Sequence, residues 1–245
     1  MMMLLLNFRD VLPRYPIIVE TLDCLKKFVL FIIPCVIVLL IIKFCTRVPK
    51  YVFRKLLHLV AFTCVIFMLL AEDDWYAVSI ASLLIAAVIY PILALAEKER
   101  WFAELFIEKR PGEIKRSLIL LFSTFAVLAA AGWGLWGKQM ITAAAILMWG
   151  VGDAVAALVG IPFGRHKVHS KHTDGKKSWE GTISMFLASF VFGAAFLVFH
   201  AHMPASGLIS CVIGAAVGAA AELFSPSEWD TVSVPAVILI ALLLF

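Results

Sequence analysis

The amino-acid sequence predicts an all-α, polytopic integral membrane protein, a bundle of about eight transmembrane helices, and three observations carry that reading. Of the 245 residues, 63% are hydrophobic and 16% charged, whereas soluble domains run at about 45–50% and about 25%. The excess is gathered into blocks of about 15 to 22 residues almost free of charge, and a helix needs about 20 such residues to cross a bilayer. The charges fall in the short segments between blocks, with Lys and Arg concentrated in every second one. This composition excludes a soluble enzyme, a nucleic-acid-binding module and a disordered scaffold. The net charge of +4 makes no basic patch for nucleic acid, because it is divided among separate loops.

In chain order, the expected spans are 28–42, 56–71, 75–96, 117–136, 140–160, 182–199, 206–221 and 232–245. The first contains Pro34, and the count falls to seven if the last crosses only part way. Residues 1–27 mix Pro13 and Pro16 with apolar residues and are expected to form an interfacial arm; residues 28–245 form one transmembrane catalytic domain. No basic region precedes the apolar Met1–Leu6 run, so it is not read as a cleaved signal peptide.

Orientation follows from the short loops. Segments 43–55, 97–116 and 161–181 carry five, six and five Lys or Arg; the alternating 72–74, 137–139 and 200–205 carry none, one and none. The positive set is expected on the cytoplasmic side. Five scattered cysteines with no CxxC pair give neither a disulfide framework nor a thiolate metal site. A transporter would more often carry polar groups at the midplane on broken helices. Here they gather at one face, which favours surface chemistry with a water-soluble reactant.

Four constellations could carry that chemistry. Arg54-Lys55-Leu-Leu-His58 opens the second span, and Arg54 and His58, four apart, share a helical face. Snorkelling anchors would explain the two bases, but His58 lies a turn inside the apolar run, where an ionisable residue is a functional candidate. Together they could grip a phosphate. In the fifth span, Gly152, Ala156 and Gly160 recur every fourth residue, a small-residue face for close helix packing, inside one chain or in a homodimer. Asp153 on the same segment is the only acid between Lys138 and Arg165. A carboxylate there needs a cation, metal or donor.

The third constellation is a basic, glycine-containing loop, Phe163-Gly164-Arg165-His166-Lys167 followed by Gly175-Lys176-Lys177-Ser178-Trp179-Glu180-Gly181-Thr182. Glycine lets backbone N–H groups approach phosphate oxygens, and Lys and Arg supply countercharge. The spacing excludes a P-loop. His166, His169 and His172 have no Cys or carboxylate cluster beside them and are not read as a zinc site. The fourth is the acidic connection Glu222 to Asp230. With the basic loop it could cradle a metal–triphosphate, since Mg²⁺ prefers carboxylates plus substrate phosphates. Asp153 and Asp230 are the best ligand pair, and Glu222 the next. The mixed-charge stretch 97–116, with Trp101, Phe102 and Phe106, reads as an amphipathic surface helix.

These residues, in this order, resemble the CTP-dependent lipid kinases, the group of dolichol kinase, phytol kinase and yeast-type diacylglycerol kinase. The matching elements are Arg54-Lys-x-x-His58, Gly152-Asp153-Ala-x-Ala with Gly160, Phe163-Gly-Arg-His-Lys, Lys177-Ser-x-Glu180-Gly-Thr182 and Asp230-x-x-x-Val-Pro235, over roughly residues 50–240. The resemblance implies transfer of the γ-phosphoryl of CTP to a membrane alcohol (a polyprenol, a phytol-like isoprenoid or diacylglycerol) with a divalent cation, Mg²⁺. It places Asp153 and segment 176–182 in the catalytic and nucleotide site, with Arg54, Lys55 and His58 in its first motif. His58, Asp153 and Glu180 are candidate bases; Arg165, Lys167, Lys176 and Lys177 would neutralise phosphate charge, with Ser178 and the Gly175 and Gly181 backbone around it. Phosphatidate cytidylyltransferases share the Gly-Arg-His-Lys and Lys-Lys-Ser-Trp-Glu-Gly runs, Trp179 included, but their long terminal signature is missing. A cytidylyltransferase making a CDP-lipid is the alternative, and a non-enzymatic membrane protein or transporter the third reading.

Overall fold

The structure is a computed structural model that describes residues 15–46, 48–99, 101–102, 112–168, 177–202, 207–226 and 229–244. Its eight main helices are α1 (Pro16–Cys45), α2 (Lys50–Ala71), α3 (Trp75–Ala96), α4 (Glu113–Leu128), α5 (Gln139–Phe163), α6 (Trp179–Phe199), α7 (Gly207–Phe224) and α8 (Asp230–Leu243). A π-helical segment, Ala129–Leu135, prolongs α4. Among the described residues there is no strand, and a single antiparallel bridge joins Lys167 and Ser178.

Among the described residues, seven helices are long and apolar enough to cross a bilayer, taking α4 with its π-helical continuation. The 22 residues of α2 rise about 33 Å, enough for the hydrocarbon core. The 14 residues of α8 rise about 21 Å. The eighth expected span is therefore a short apolar helix. The first span is longer than expected. Pro16 sits in the first turn, where its missing N–H costs nothing, and the helix runs unbroken to Cys45 through Pro34. Residues 16–27 belong to the continuous α1 helix, and residues 1–14 lie outside the described part.

The centre of the bundle is α5. Half of its most apolar stretch is buried, against 11% for α1, whose Leu30, Ile33, Ile37, Ile41 and Phe44 face outward. The tightest pairing is α5 with α6, and the small-residue stripe produces it. A Cβ added at Gly160 would stand 3.3 Å from Gly181 Cα, and one at Gly181 would stand 3.1 Å from the Ala156 carbonyl oxygen. With lipid outside as apolar as the interface, such close backbone contact supplies the packing attraction that hydrophobicity cannot. The stripe is thus used inside this chain.

Connections at the two ends differ. At the end of the α2–α3 turn, Lys27 pairs with Asp23 and with the buried Glu72, both at 2.9 Å. Gln139 Nε2 donates to the carbonyls of Leu69 (2.5 Å) and Glu72 (3.1 Å). These bonds tie α1, the α2–α3 turn and the start of α5. The opposite end carries the basic loops and the candidate site.

Candidate active site

Six helices contribute to one cavity at the end of the bundle that bears the basic loops. Its mouth holds Arg54, Lys55 and His58 of α2, Asp153 of α5, Glu222 of α7, and Asp230 and Thr231 of α8. Its floor is apolar: Phe62 (α2), Leu121 (α4), Trp149 (α5), Met185 (α6) and Val234 (α8), with Ser117 of α4 on the wall. The two layers follow from helical geometry. Residues four apart stack on one face, and the lining repeats that step as 54, 58, 62; 117, 121; 149, 153; and 230, 234.

The charges are interleaved rather than segregated. Lys55 Nζ lies 2.6 Å from Asp153 Oδ2, and the two side chains are 14% and 30% exposed. That pairing supplies the cation which a carboxylate in the fifth span requires. Arg54 pairs with Glu113 of α4 at 3.2 Å. Lys177 approaches Glu222 Oε1 at 3.2 Å and Asp230 Oδ2 at 3.7 Å. His58 Nδ1 is 2.8 Å from the Arg54 carbonyl. A carbonyl can only accept, so Nδ1–H donates, and in the neutral ring Nε2 then keeps its lone pair and can take a proton. Pro235 has no N–H to give the Thr231 carbonyl four residues earlier, so α8 lacks that rung at the cavity wall.

Three of the four expected constellations therefore meet around one cavity through Arg54, Lys55, His58, Asp153, Glu222 and Asp230. The basic loop does something different. Ser178 is the N-cap of α6, its Oγ accepting from Gly181 N at 3.2 Å. Glu180 accepts from His166 N at 3.1 Å and sits 2.7 Å from His166 Nδ1. Trp179 N donates to the His166 carbonyl at 3.1 Å, and Val168 N to the Lys177 carbonyl at 3.0 Å. The Lys-Ser-Trp-Glu-Gly order is a clasp that fastens the start of α6 to the chain leaving α5. Arg165 and Lys167 lie exposed on this clasp, with Lys167 Nζ 3.5 Å from the Gly160 carbonyl. Arg165, Lys167, Lys177, Ser178, Glu180 and Gly181 do not line the cavity. Gly175, Lys176, His169 and His172 lie outside the described residues.

Among the described residues, no three His, Cys, Asp or Glu side chains converge closely enough to hold a metal ion unaided. Asp153, Glu222 and Asp230 nonetheless present hard oxygen donors to one cavity. That suits Mg²⁺, which usually takes one or two carboxylates and completes its shell with phosphate and water.

Sequence reasoning missed the floor and Glu113. Trp149 stands one turn before Asp153 and Phe62 one turn after His58, so the i±4 step from each ionisable residue was the available signal. Phe62 meets Trp149 edge-on at 4.5 Å and Phe125 at 5.1 Å, and Gly150 makes room for it. A Cβ there would lie 2.5 Å from the Phe62 ring. Gly150→Ala is expected to cost roughly 1–3 kcal/mol by overpacking and to displace Phe62 in the floor. Thermal unfolding in detergent measures this; an unchanged midpoint would show that Phe62 relaxes freely.

No protein-family model and no solved structure matches the chain. Three sequence relatives do. "Phytol kinase" of Synechocystis is 36% identical over 118 residues, covering 47% of this chain and 49% of that protein. "Probable phytol kinase 2, chloroplastic" of Glycine max is 28% identical over 155 residues, 60% of this chain and 49% of the relative. "Probable phytol kinase, chloroplastic" of Zea mays is 30% identical over 152 residues, 56% and 46% respectively. In each, the match spans about half the length of the relative. The resemblance read from the motifs and these comparisons point the same way: the chain is a relative of proteins named phytol kinase.

Proposed function

We propose that the protein is a membrane lipid kinase that moves the γ-phosphoryl group of CTP to the hydroxyl of a membrane-embedded isoprenoid alcohol of the phytol type. The observation that carries this reading is the two-layered cavity: three carboxylates and three basic or imidazole groups at the mouth, five apolar side chains beneath. A phosphoryl donor needs the first layer and a hydrocarbon acceptor the second. The relatives' names support the acceptor class, and the motif resemblance supports CTP.

Phosphoryl transfer depends on positioning and charge neutralisation more than on covalent help. Lys55 and Arg54 neutralise the phosphates, exchanging their carboxylate partners for phosphate oxygens of higher charge. Asp153, with Asp230 and Glu222, would hold Mg²⁺, which when bound would supply positive charge to offset that of the phosphates. His58 accepts the alcohol proton at Nε2, its ring oriented by the Nδ1–H bond to the Arg54 carbonyl. The floor around Trp149 and Phe62 takes the hydrocarbon next to the hydroxyl and excludes water.

Detergent-purified protein is to be incubated with γ-³²P-CTP and Mg²⁺ against phytol, farnesol, a long polyprenol, diacylglycerol and phosphatidic acid. Labelled phytyl phosphate in the organic phase is the expected result. Pyrophosphate released only with phosphatidic acid would replace the kinase with a cytidylyltransferase, and no turnover with any acceptor would remove the enzyme reading.

The cavity opens on the cytoplasmic side, by the distribution of Lys and Arg. Native Cys45 tests this without engineering. It is exposed at the end of α1 nearest the basic loops, whereas Cys24, Cys64 and Cys211 are buried. A membrane-impermeant maleimide is expected to label Cys45 in inverted vesicles and not in intact cells; the reverse pattern would put the cavity outside.

A further inference from the structure

Lys177 does not line the cavity; it stands behind two residues that do. Its side chain is 13% exposed. Its ammonium donates to the Ser225 carbonyl at 3.0 Å and to the Glu222 carbonyl, and pairs with Glu222 Oε1 at 3.2 Å and Asp230 Oδ2 at 3.7 Å. An ammonium has three N–H donors, and four protein oxygens already compete for them. The two carbonyls lie at the C-terminal end of α7, where a cation meets carbonyls that the helix cannot satisfy and the negative end of its dipole. Lys177 itself immediately precedes the Ser178 cap of α6. One nitrogen thus joins the start of α6, the end of α7 and the first residue of α8.

We propose that Lys177 is a positioning residue: it holds the Glu222 and Asp230 carboxylates at the cavity rim and is not itself a phosphate ligand. The proposal rests on the phosphotransferase reading of that cavity. Without the ammonium, two carboxylates would face one another in a part-buried corner with no cation between them. Breaking a buried ion pair from one side is far more costly than removing both partners.

The experiment is a double-mutant cycle on the full chain in detergent: wild type, Lys177→Met, Glu222→Gln and Lys177→Met/Glu222→Gln, each read by thermal unfolding and by transfer from γ-³²P-CTP to phytol. Lys177→Met is expected to lower the unfolding midpoint by roughly 5 °C or more, and the added Glu222→Gln to restore at least half of that loss. The turnover number of Lys177→Met is expected to fall on the order of 10–100-fold, with the KM for CTP held within about threefold, because no phosphate contact is lost. An additive midpoint loss in the double variant would overturn the strut. So would an unchanged midpoint accompanied by a raised KM, which would make Lys177 a phosphate ligand. If Lys177→Met cannot be recovered folded, Lys177→Gln is compared with Lys177→Gln/Glu222→Gln on the same terms. Should the wild type transfer no label to any alcohol, the kinase reading fails, and the midpoints still decide whether Lys177 holds the two carboxylates.

Discussion

Asp153→Asn is expected to lower phosphoryl transfer by at least about 10³-fold, the scale of losing a charge that acts on the transferring group, while the protein still accumulates and folds. The substitution keeps shape and volume, so the packing of α5 against α6 is undisturbed. It removes the oxygen charge that faces Lys55 across 2.6 Å and one of the carboxylates proposed to hold Mg²⁺ at the cavity. Lys55, 14% exposed, loses its charged partner but keeps an amide oxygen as hydrogen-bond acceptor, so some stability is lost while the fold is retained. The measurement is the initial rate with γ-³²P-CTP and phytol, alongside gel filtration and thermal unfolding. Retention of about a tenth of the rate, in folded protein, would make a catalytic role for Asp153 untenable.

Gly181→Val is expected to do the opposite: to damage the fold first and activity only as a consequence. A single added carbon at Gly181 would meet the Ala156 carbonyl oxygen at 3.1 Å and Gly160 Cα at 3.4 Å. Both are helix backbone, so neither can swing aside as a side chain would. Valine adds two further methyl groups to a gap without room for one. The helices must separate, at about 3 kcal/mol or more, and the attraction lost is the close contact that holds helices together in lipid. Thermal unfolding and the monodisperse fraction in detergent read this directly, with Gly181→Ala intermediate. A wild-type midpoint for Gly181→Val would refute the close approach. The same displacement would carry the clasp and Lys177 away from Glu222 and Asp230.

The two substitutions separate what was legible in the chain from what was not. The all-helical membrane body follows from composition and block length alone, because a bilayer allows few architectures other than helices with internally satisfied backbones. The uneven Lys and Arg count marked one end of the bundle as different, and that end carries the cavity. Asp153 was legible for the same reason: a lone carboxylate in an apolar span needs a partner. Its partner was not, since Lys55 lies 98 positions away and only the packing of α2 against α5 brings them together. Nor could one-dimensional charge assign the lysines. Lys177 and Lys55 look alike in sequence, yet one lines the cavity mouth while the other is spent on carbonyls and carboxylates behind it.

The Lys-Ser-Trp-Glu-Gly run shows the limit most clearly. Glycine, serine and lysine in one loop suit a phosphate by composition. In three dimensions the serine caps α6, Glu180 receives His166, and Gly181 admits α5. Each of those uses depends on which backbone groups the neighbouring segment leaves unsatisfied, and a sequence does not record that. The sequence by itself determined the solvent this protein folds in, the helical nature of its apolar spans and the residues able to carry charge inside it, because transfer from water to lipid penalises every residue locally. Tertiary structure alone decided which charges neutralise each other, which face the cavity and which aromatic side chains close its floor, because those energies depend on distances of a few ångströms between residues far apart in the chain.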